Sequence, residues 1–400
     1  MSAPNLPLAG IRVLDLSTVL AAPVSTTLLG DFGADVVKIE EPGRGDFTRG
    51  RAGQTGGRSP QWLQEGRNKR SVTINLREPE GQAILRDLIP RFDIIVTNYR
   101  PPTLERWGLG PDRLREIHPE GIFLIITGFG LTGPYRSRGS FDRIASAFAG
   151  LTYVSGDPDI DPVRSGFSVI DFMAAYLGAF SAMMALYHRD HHGGTGQVID
   201  LALYEAGFRA AEDALIDHSV TGAVRERMGN KNPYIVPASD FTTADRRRVS
   251  LHAGTDALFA RLASVMGTPE LAADSRYASR ATREEHQDDL YGLIEEWMAR
   301  QTAESVVDEL NDAGVPASLV MTIADISKDQ HYRDRGTIVD LDDPEFGTVT
   351  TVAPLPFLSE TPGRIRALGP ELGEHTDEVL GDEIGLTAHQ LDDLRSRGVV

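Results

Sequence analysis

Residues 11–40 read IRVLDLSTVLAAPVSTTLLGDFGADVVKIE. Residues 11–16 carry the short, apolar-rich run of a strand. Residues 22–32 read as a helix that stops at Gly33, where glycine accepts a left-handed cap. Residues 35–40 are a second strand. A helix between two strands this close in sequence is a compact βαβ unit, so the strands should be parallel. Working outward, further strands fit 71–76, 93–97 and 122–127, and helices fit 79–91 and the region 103–118. Strands alternating with helices indicate an open α/β sheet.

Residues 43–57 are rich in glycine and arginine and read as a loop. Beyond Asp200 the pattern changes. Residues 202–220 read as helical, and residues 229–233 (GNKNP) mark a loop and a boundary. From 248 to about 318 a strand precedes helices near 255–266, 282–300 and 302–313, the pattern of a smaller inserted α+β domain. Residues 336–352 read as a hairpin turning around 343–347, and the last forty residues end in short helices. Residues 228–318 are therefore the expected small domain. Residues 206–227 and 319–334 are the expected linkers.

Of 400 residues 41% are hydrophobic, enough for a substantial core, and none is cysteine. Disulfides, thiolate catalysis and Cys-ligated metals are thereby excluded. No secretory signal is visible at the N-terminus, so a cytoplasmic location is expected. The net charge of −18 argues against a nucleic-acid partner. The charge is uneven. Residues 1–110 hold 14 Lys and Arg against 12 Asp and Glu, whereas the remaining 290 hold 26 against 46. An anionic ligand fits the N-terminal part better. Residues 166–187 approach the length that spans a bilayer, but their alanines, glycines, serines and the carboxylate of Asp171 read as a buried core helix, and no membrane partner is expected.

Asp171 is the only charged residue between Arg164 and His188. A carboxylate at the head of an apolar helix is poorly solvated and sits near the positive end of the helix dipole. It is either a cap or a nucleophile. As a nucleophile it can attack an acyl thioester to form a mixed anhydride and free thiolate; the thiolate then returns to the aspartyl carbonyl, releasing the donor acid. A second acid reverses the sequence, and no metal is needed.

Three other motifs compete for attention. Residues 128–133 (GFGLTG) match G-x-G-x-x-G after an apolar run. A dinucleotide fingerprint opens a helix directly, whereas PYRSRGS follows here, so the glycines of Gly128 and Gly130 read as a loop that lets backbone approach a ligand. His188, His191 and His192 cluster with Asp190, and His188 and His192 have helical spacing, but a helix C-terminus before a glycine stop explains them without a metal. Arg77, Arg100 and Arg106 fall at the ends of expected strands and helices, where open α/β sheets bind ligands and where guanidinium suits phosphate.

Taken in order, the following segments resemble the class III CoA-transferases, the group of formyl-CoA transferase and carnitine CoA-transferase. They are LAGIRVLDL (8–16), LGDFGADVVKIE (29–40), Pro42 with Gly45 and Asp46, NKRS (68–71), DIIVTNYR (93–100), Gly128 to Gly130 with Gly133 and Pro134, GTGQ (194–197), LGEHT (372–376) and the ending GVV (398–400). The resemblance implies a large Rossmann-like α/β domain built from both chain ends, 1–205 and 335–400, with the smaller α+β domain inserted. It also implies a homodimer of interlocked, intertwined chains, with acyl-CoA and small carboxylic acids as substrates and no tightly bound cofactor. It places the catalytic aspartate on Asp171. It places CoA contacts on Val19, Leu20, Ile74, Arg77, Asn98, Tyr99 and Arg106, with Arg100 adjacent.

Two departures narrow the expectation. α-Methylacyl-CoA racemases of this fold carry a His-Asp pair where this chain has Phe141-Asp142, so a two-base proton exchange lacks a member. The formyl-CoA branch carries a glycine-rich lid and an aromatic after Thr-Arg-Gly, where this chain has no tetraglycine and has Arg51. Arg51 suits a second carboxylate on the substrate, which points to a diacid rather than oxalate or formate. The expected activity is transfer of CoA between an acyl-CoA and an acid. A racemase on the same fold and a dinucleotide-binding oxidoreductase are the alternatives.

Overall fold

In the computed structural model, residues 6–50, 58–232 and 234–400 are described. Six strands form one parallel sheet: β1 (Arg12–Asp15), β2 (Asp35–Glu40), β3 (Lys69–Thr73), β4 (Ile94–Thr97), β5 (Ile122–Thr127) and β6 (Val198–Ala202). Their order is β3-β2-β1-β4-β5-β6. Val13 pairs with Val36 on one side and with Ile94 on the other, so β1 is central. All residues of β4 and β5 are buried, as expected of strands covered by helices on both faces.

Among the described residues eight α-helices connect and cover this sheet up to residue 209: α1 (Ala21–Asp31), α2 (Pro60–Glu65), α3 (Pro79–Leu88), α4 (Pro101–Arg106), α5 (Pro111–Ile117), α6 (Asp142–Phe148), α7 (Val169–His191) and α8 (Leu203–Arg209). Helices α2 to α5 each begin with proline, whose fixed φ suits the first helical position and whose missing N–H costs nothing there. Gly33 follows α1 with φ +109°, and a Cβ there would lie 2.5 Å from that of Leu6.

Alternation along the strands feeds two cores. Leu14, Val37, Val72, Ile95 and Phe123 face one side, where α3 and the helices Thr376–Ile384 and Ala388–Ser396 pack. Val13, Val36, Ile94, Leu124 and Ile126 face the other, against α1 and α7. The C-terminus is stitched to this unit by a hydrogen bond from Asn75 N–H to the Val399 carbonyl at 2.8 Å. The hairpin Ile338–Asp343 with Gly347–Val352 forms where the sequence places it.

Contacts group the chain into two compact units, 1–152 with 165–223 and 331–400, and 153–164 with 224–330. The second unit holds an antiparallel sheet of three strands, Ala238–Thr242, Arg248–His252 and Ala317–Leu319, around a core that includes Phe241, Leu262, Ile294 and Leu310. Arg283 is fully buried there, with its guanidinium donating to the carbonyls of Val236, Tyr277 and Gly254.

One local reading needs correction. Residues 202–220 are not one helix: β6 ends at Ala202, α8 follows, and a further helix spans Ala214–Thr221. Strand β6 is an edge strand with only its last two residues buried, so it carries neither a clean alternation nor a long apolar run. Helix α6 begins just beyond the loop read at 134–140, where seven residues carry too little periodicity to register.

Candidate active site

Open α/β sheets bind ligands outside the carboxyl ends of the strands where the strand order reverses, here between β1 and β4. A cavity of about 830 Å³ lies there. Its walls are the segments following β1 (17–21), β2 (40–41 and 45–46), β3 (74–77), β4 (98–100) and β5 (128), together with Asp171.

Asp171 occupies the third position of α7 and is 9% exposed. Its carboxylate has no hydrogen-bond partner among the described residues, and Ser168 is the N-cap residue, so Asp171 is not the cap. Burial pushes its carboxyl up to about 7, with the charge of Asp142 adding to the effect. Asp142, 6% exposed, accepts the Ile170 N–H at 3.0 Å and so ties α6 to the first turn of α7. A carboxylate stripped of water and of donors is more basic, and a better nucleophile, than one on the surface.

Opposite lies the β1–α1 loop. Asn98 grips Thr18 in both directions: Thr18 N–H donates to its amide oxygen at 2.9 Å, and its amide nitrogen donates to the Thr18 carbonyl at 2.6 Å. Leu20 is the N-cap of α1 and packs with Val24 against Ala175, with Phe172 beside them. The N-terminal ends of α1 and α7 therefore meet at the cavity. The N–H groups of Ala21 and Ala22 begin α1 and have no intrahelical partner, as at every helix start.

Beneath this loop sits a buried ion cluster. Lys69 approaches Asp15 at 3.1 Å, and Lys38 lies 3.7 Å from Asp15 and 3.2 Å from Asp46. Burial opposes the charge on Asp15, but Lys38 and Lys69 outweigh it and hold the carboxyl below the usual range. Burial likewise opposes the charge on Lys38, which Asp15 and Asp46 more than offset, leaving it above the usual lysine range.

Basic side chains ring the opening. Arg77 is engaged by Glu41 at 3.0 Å. Arg100 donates to the Ser137 carbonyl at 3.3 Å, and Arg138 lies 3.6 Å over the Tyr135 ring. Among the described residues Arg106 reaches only Thr103, at 3.5 Å. Arg100, Arg106 and Arg138 have no carboxylate partner among the described residues. Tyr99 packs edge-on against Trp107, with centroids 4.7 Å apart.

One cavity thus gathers Val19, Leu20, Ile74, Arg77, Asn98, Tyr99, Arg100, Arg106, Gly128 and Asp171. Gly130 is not on its wall: it takes φ +83° beside Asp200, 3.5 Å from where its Cβ would stand. Arg51 lies outside the described residues. The glycine run after β5 does not open a helix, since α6 begins only at Asp142. Sequence reasoning missed Lys38, Asp46 and Arg138. Lys38 carried a signal, because a lysine inside the apolar strand 35–40 of a parallel sheet must find buried partners.

Comparison with known proteins agrees with this architecture. The family model described as CoA-transferase family III matches residues 8–376. The chain is 44% identical to the succinyl-CoA–L-malate CoA-transferase beta subunit of Chloroflexus aurantiacus, over 99% of this chain and 98% of that one. It is 40% identical to the succinyl-CoA–D-citramalate CoA-transferase of the same organism, over 99% of each. Among solved structures, a CAIB/BAIF family protein from Brucella suis superposes with a TM-score of 0.85 at 30% identity, covering 95% of this chain and all of the other. The sheet order, the cavity at its switch point and these matches lead to one assignment: the chain is a CoA-transferase and belongs to CoA-transferase family III.

Proposed function

We propose that the enzyme transfers CoA between succinyl-CoA and a second small dicarboxylic acid, with Asp171 as the covalent nucleophile. The observation that carries this reading is the Asp171 carboxylate itself, buried at the cavity with no hydrogen-bond donor among the described residues and pushed up to about 7. An Asp171 oxygen adds to the thioester carbonyl and the CoA thiolate departs, leaving a mixed anhydride. The thiolate attacks the aspartyl carbonyl, the donor acid leaves, and an aspartyl-CoA thioester remains. The acceptor carboxylate then repeats these steps in reverse order.

CoA enters along the switch-point crevice. Val19, Leu20, Ile74 and Tyr99 form the walls of its channel, and Arg77, Arg100 and Arg106 meet its phosphates, as bidentate donors suited to that group. Asn98 shapes the channel through Thr18 rather than by reaching the ligand. The choice of diacids is supported by the names of the two Chloroflexus relatives, both of which specify succinyl-CoA and a dicarboxylic acid. Arg51 remains the proposed partner of the distal carboxylate.

The active form is proposed to be a homodimer of intertwined chains. Helix α7 supports this: Tyr176, Phe180, Met184 and Tyr187 are each at least half exposed and form an apolar stripe along one face. Because one relative is named a beta subunit, a mixed assembly with a homologous chain is the second reading.

The deciding experiment incubates the enzyme with succinyl-CoA alone and maps adducts by mass spectrometry. CoA bound as a thioester to the Asp171 peptide, discharged by a diacid, is the expected result. A discharged donor with no adduct on Asp171 under rapid quench would sink the covalent route.

A further inference from the structure

Val19 has φ +71°, and it is the one β-branched residue with positive φ among the described residues. Such a conformation persists only where the surroundings over-determine it. Here they do. The Val19 N–H points at the Asp46 carboxylate, 3.2 and 3.4 Å from its two oxygens. Asp46 is fixed in turn by the Thr48 N–H at 2.8 Å, the Thr48 hydroxyl at 2.7 Å and the Lys38 ammonium at 3.2 Å. Lys38 also donates to the Ser17 carbonyl at 2.7 Å. The side chains of Lys38 and Asp46 are each 1% exposed. With Asn98 holding Thr18, successive peptides of the loop are gripped from β2, from the segment after it and from the segment after β4.

An ion pair buried this deeply is a weak means of stabilising a fold, since desolvation offsets most of its attraction. Fixing geometry is a better account. The left-handed turn at Val19 brings Leu20 into the N-cap position and sets the first turn of α1 on the cavity wall, with Leu20 packed beside Phe172 and Ala175 of α7. We propose that Lys38 and Asp46 are positioning residues, whose buried pair holds Val19 left-handed and so fixes the start of α1 against the Asp171 helix.

The benefit to catalysis rests on the transferase reading above. When the Asp171 oxygen adds to the thioester carbonyl, that carbonyl's π pair moves onto its oxygen; unpaired N–H groups fixed at a helix start favour this charge until the thiolate leaves. A loop free to relax to negative φ would move those groups.

The test compares glycine with alanine at position 19, because glycine tolerates positive φ and alanine does not. Val19→Gly and Val19→Ala are made in the native chain and in an Asp46→Ala background, and all four are melted. In the native background the glycine variant should have the higher Tm, by about 2 °C or more. With Asp46→Ala that margin should vanish or reverse. The same margin in both backgrounds overturns the proposal, because position 19 would then be left-handed without Asp46. If Asp46→Ala does not fold, Asp46→Asn replaces it, keeping an acceptor but losing the ion pair. A reduced margin then supports the proposal and an unchanged one overturns it. Single-turnover transfer from succinyl-CoA supplies the functional arm: Asp46→Asn should slow it at least tenfold, and Lys38→Arg should retain more activity than Lys38→Met. Equal rates in Asp46→Asn and the native enzyme would remove the catalytic role. Should the native enzyme itself transfer no CoA, the functional reading fails, while the melting comparison still decides what holds the loop.

Discussion

Asp171, the proposed nucleophile, is a side chain that costs the fold stability while the proposed reaction would use it. Its carboxyl titrates near 7 in the folded chain against 3.8 in an open one. The fold therefore favours the protonated form, and that stability is complete below about 3.8 and lost as pH rises through about 7. Asp171→Asn has no charge to bury, so it should melt above the native protein at pH 8, with the gap narrowing as pH falls toward 4. The two values set a ceiling of about 4 kcal/mol on the gap. Catalysis has the opposite preference. In the proposed route Asp171 must be ionised to attack, so kcat/KM for the acyl-CoA should climb to about pH 7 and then level, and Asp171→Asn should retain less than about a thousandth of the native rate. A pH-independent kcat/KM between 5 and 8 would contradict the nucleophile's assignment. The arginines differ among themselves for a local reason. Arg106→Ala should weaken CoA binding by roughly 1.5–3 kcal/mol, the range of charge-assisted hydrogen bonds. Arg77 is already paired with Glu41, an exposed pair of modest worth. Glu41→Gln should accordingly tighten CoA binding, by up to about fivefold in calorimetry; weaker binding would place the phosphates elsewhere.

At the scale of elements, α7 is the piece on which the site depends. It needs to approach β5 closely, and Gly178 makes that approach: a Cβ there would stand 3.0 Å from Ile126 Cδ1 and 3.2 Å from Leu124 Cδ2. Gly178→Val should force the helix away from the sheet, with an overpacking cost of about 1–3 kcal/mol. Two turns upstream Asp171 would shift with it. The expected result is a lower urea midpoint together with a fall in kcat larger than any rise in KM. Native kcat in a destabilised Gly178→Val enzyme would mean that the first turn of α7 is held by Asp142 and α1 alone. Helix α1 contributes from the other side, where its start, rather than its length, faces the cavity.

For the whole molecule, the apolar stripe on α7 makes the assembly testable. Phe180→Glu with Tyr187→Glu should convert the proposed dimer to smaller or aggregated species in light-scattering chromatography, since paired charges would be buried against an apolar partner. A native-sized particle from the double variant would locate the subunit contact on another face. Much of this molecule was legible from residues 11–40. Two short strands with a helix between them read as a parallel βαβ unit, and strands at 93–97 and 122–127 alternating with helices indicated an open α/β sheet. Asp171 was legible as well, because a lone charge at the head of an apolar helix must be resolved somehow. Other features depended on contacts between segments far apart in sequence. Placing β4 beside β1 opened the crevice, which local periodicity does not encode. The edge strand β6 carried half a pattern because only half of it is buried. Asp46 became a partner of Val19, and Asp142 of the α7 start, only through the sheet that folds them together. Sequence alone determined the strands and helices of the central βαβ unit and which carboxylate stands apart, because those follow from local propensity and burial. The tertiary structure decided which groups face that carboxylate and how strongly it resists ionisation, because desolvation and charge repulsion depend on distances that exist only in the folded chain.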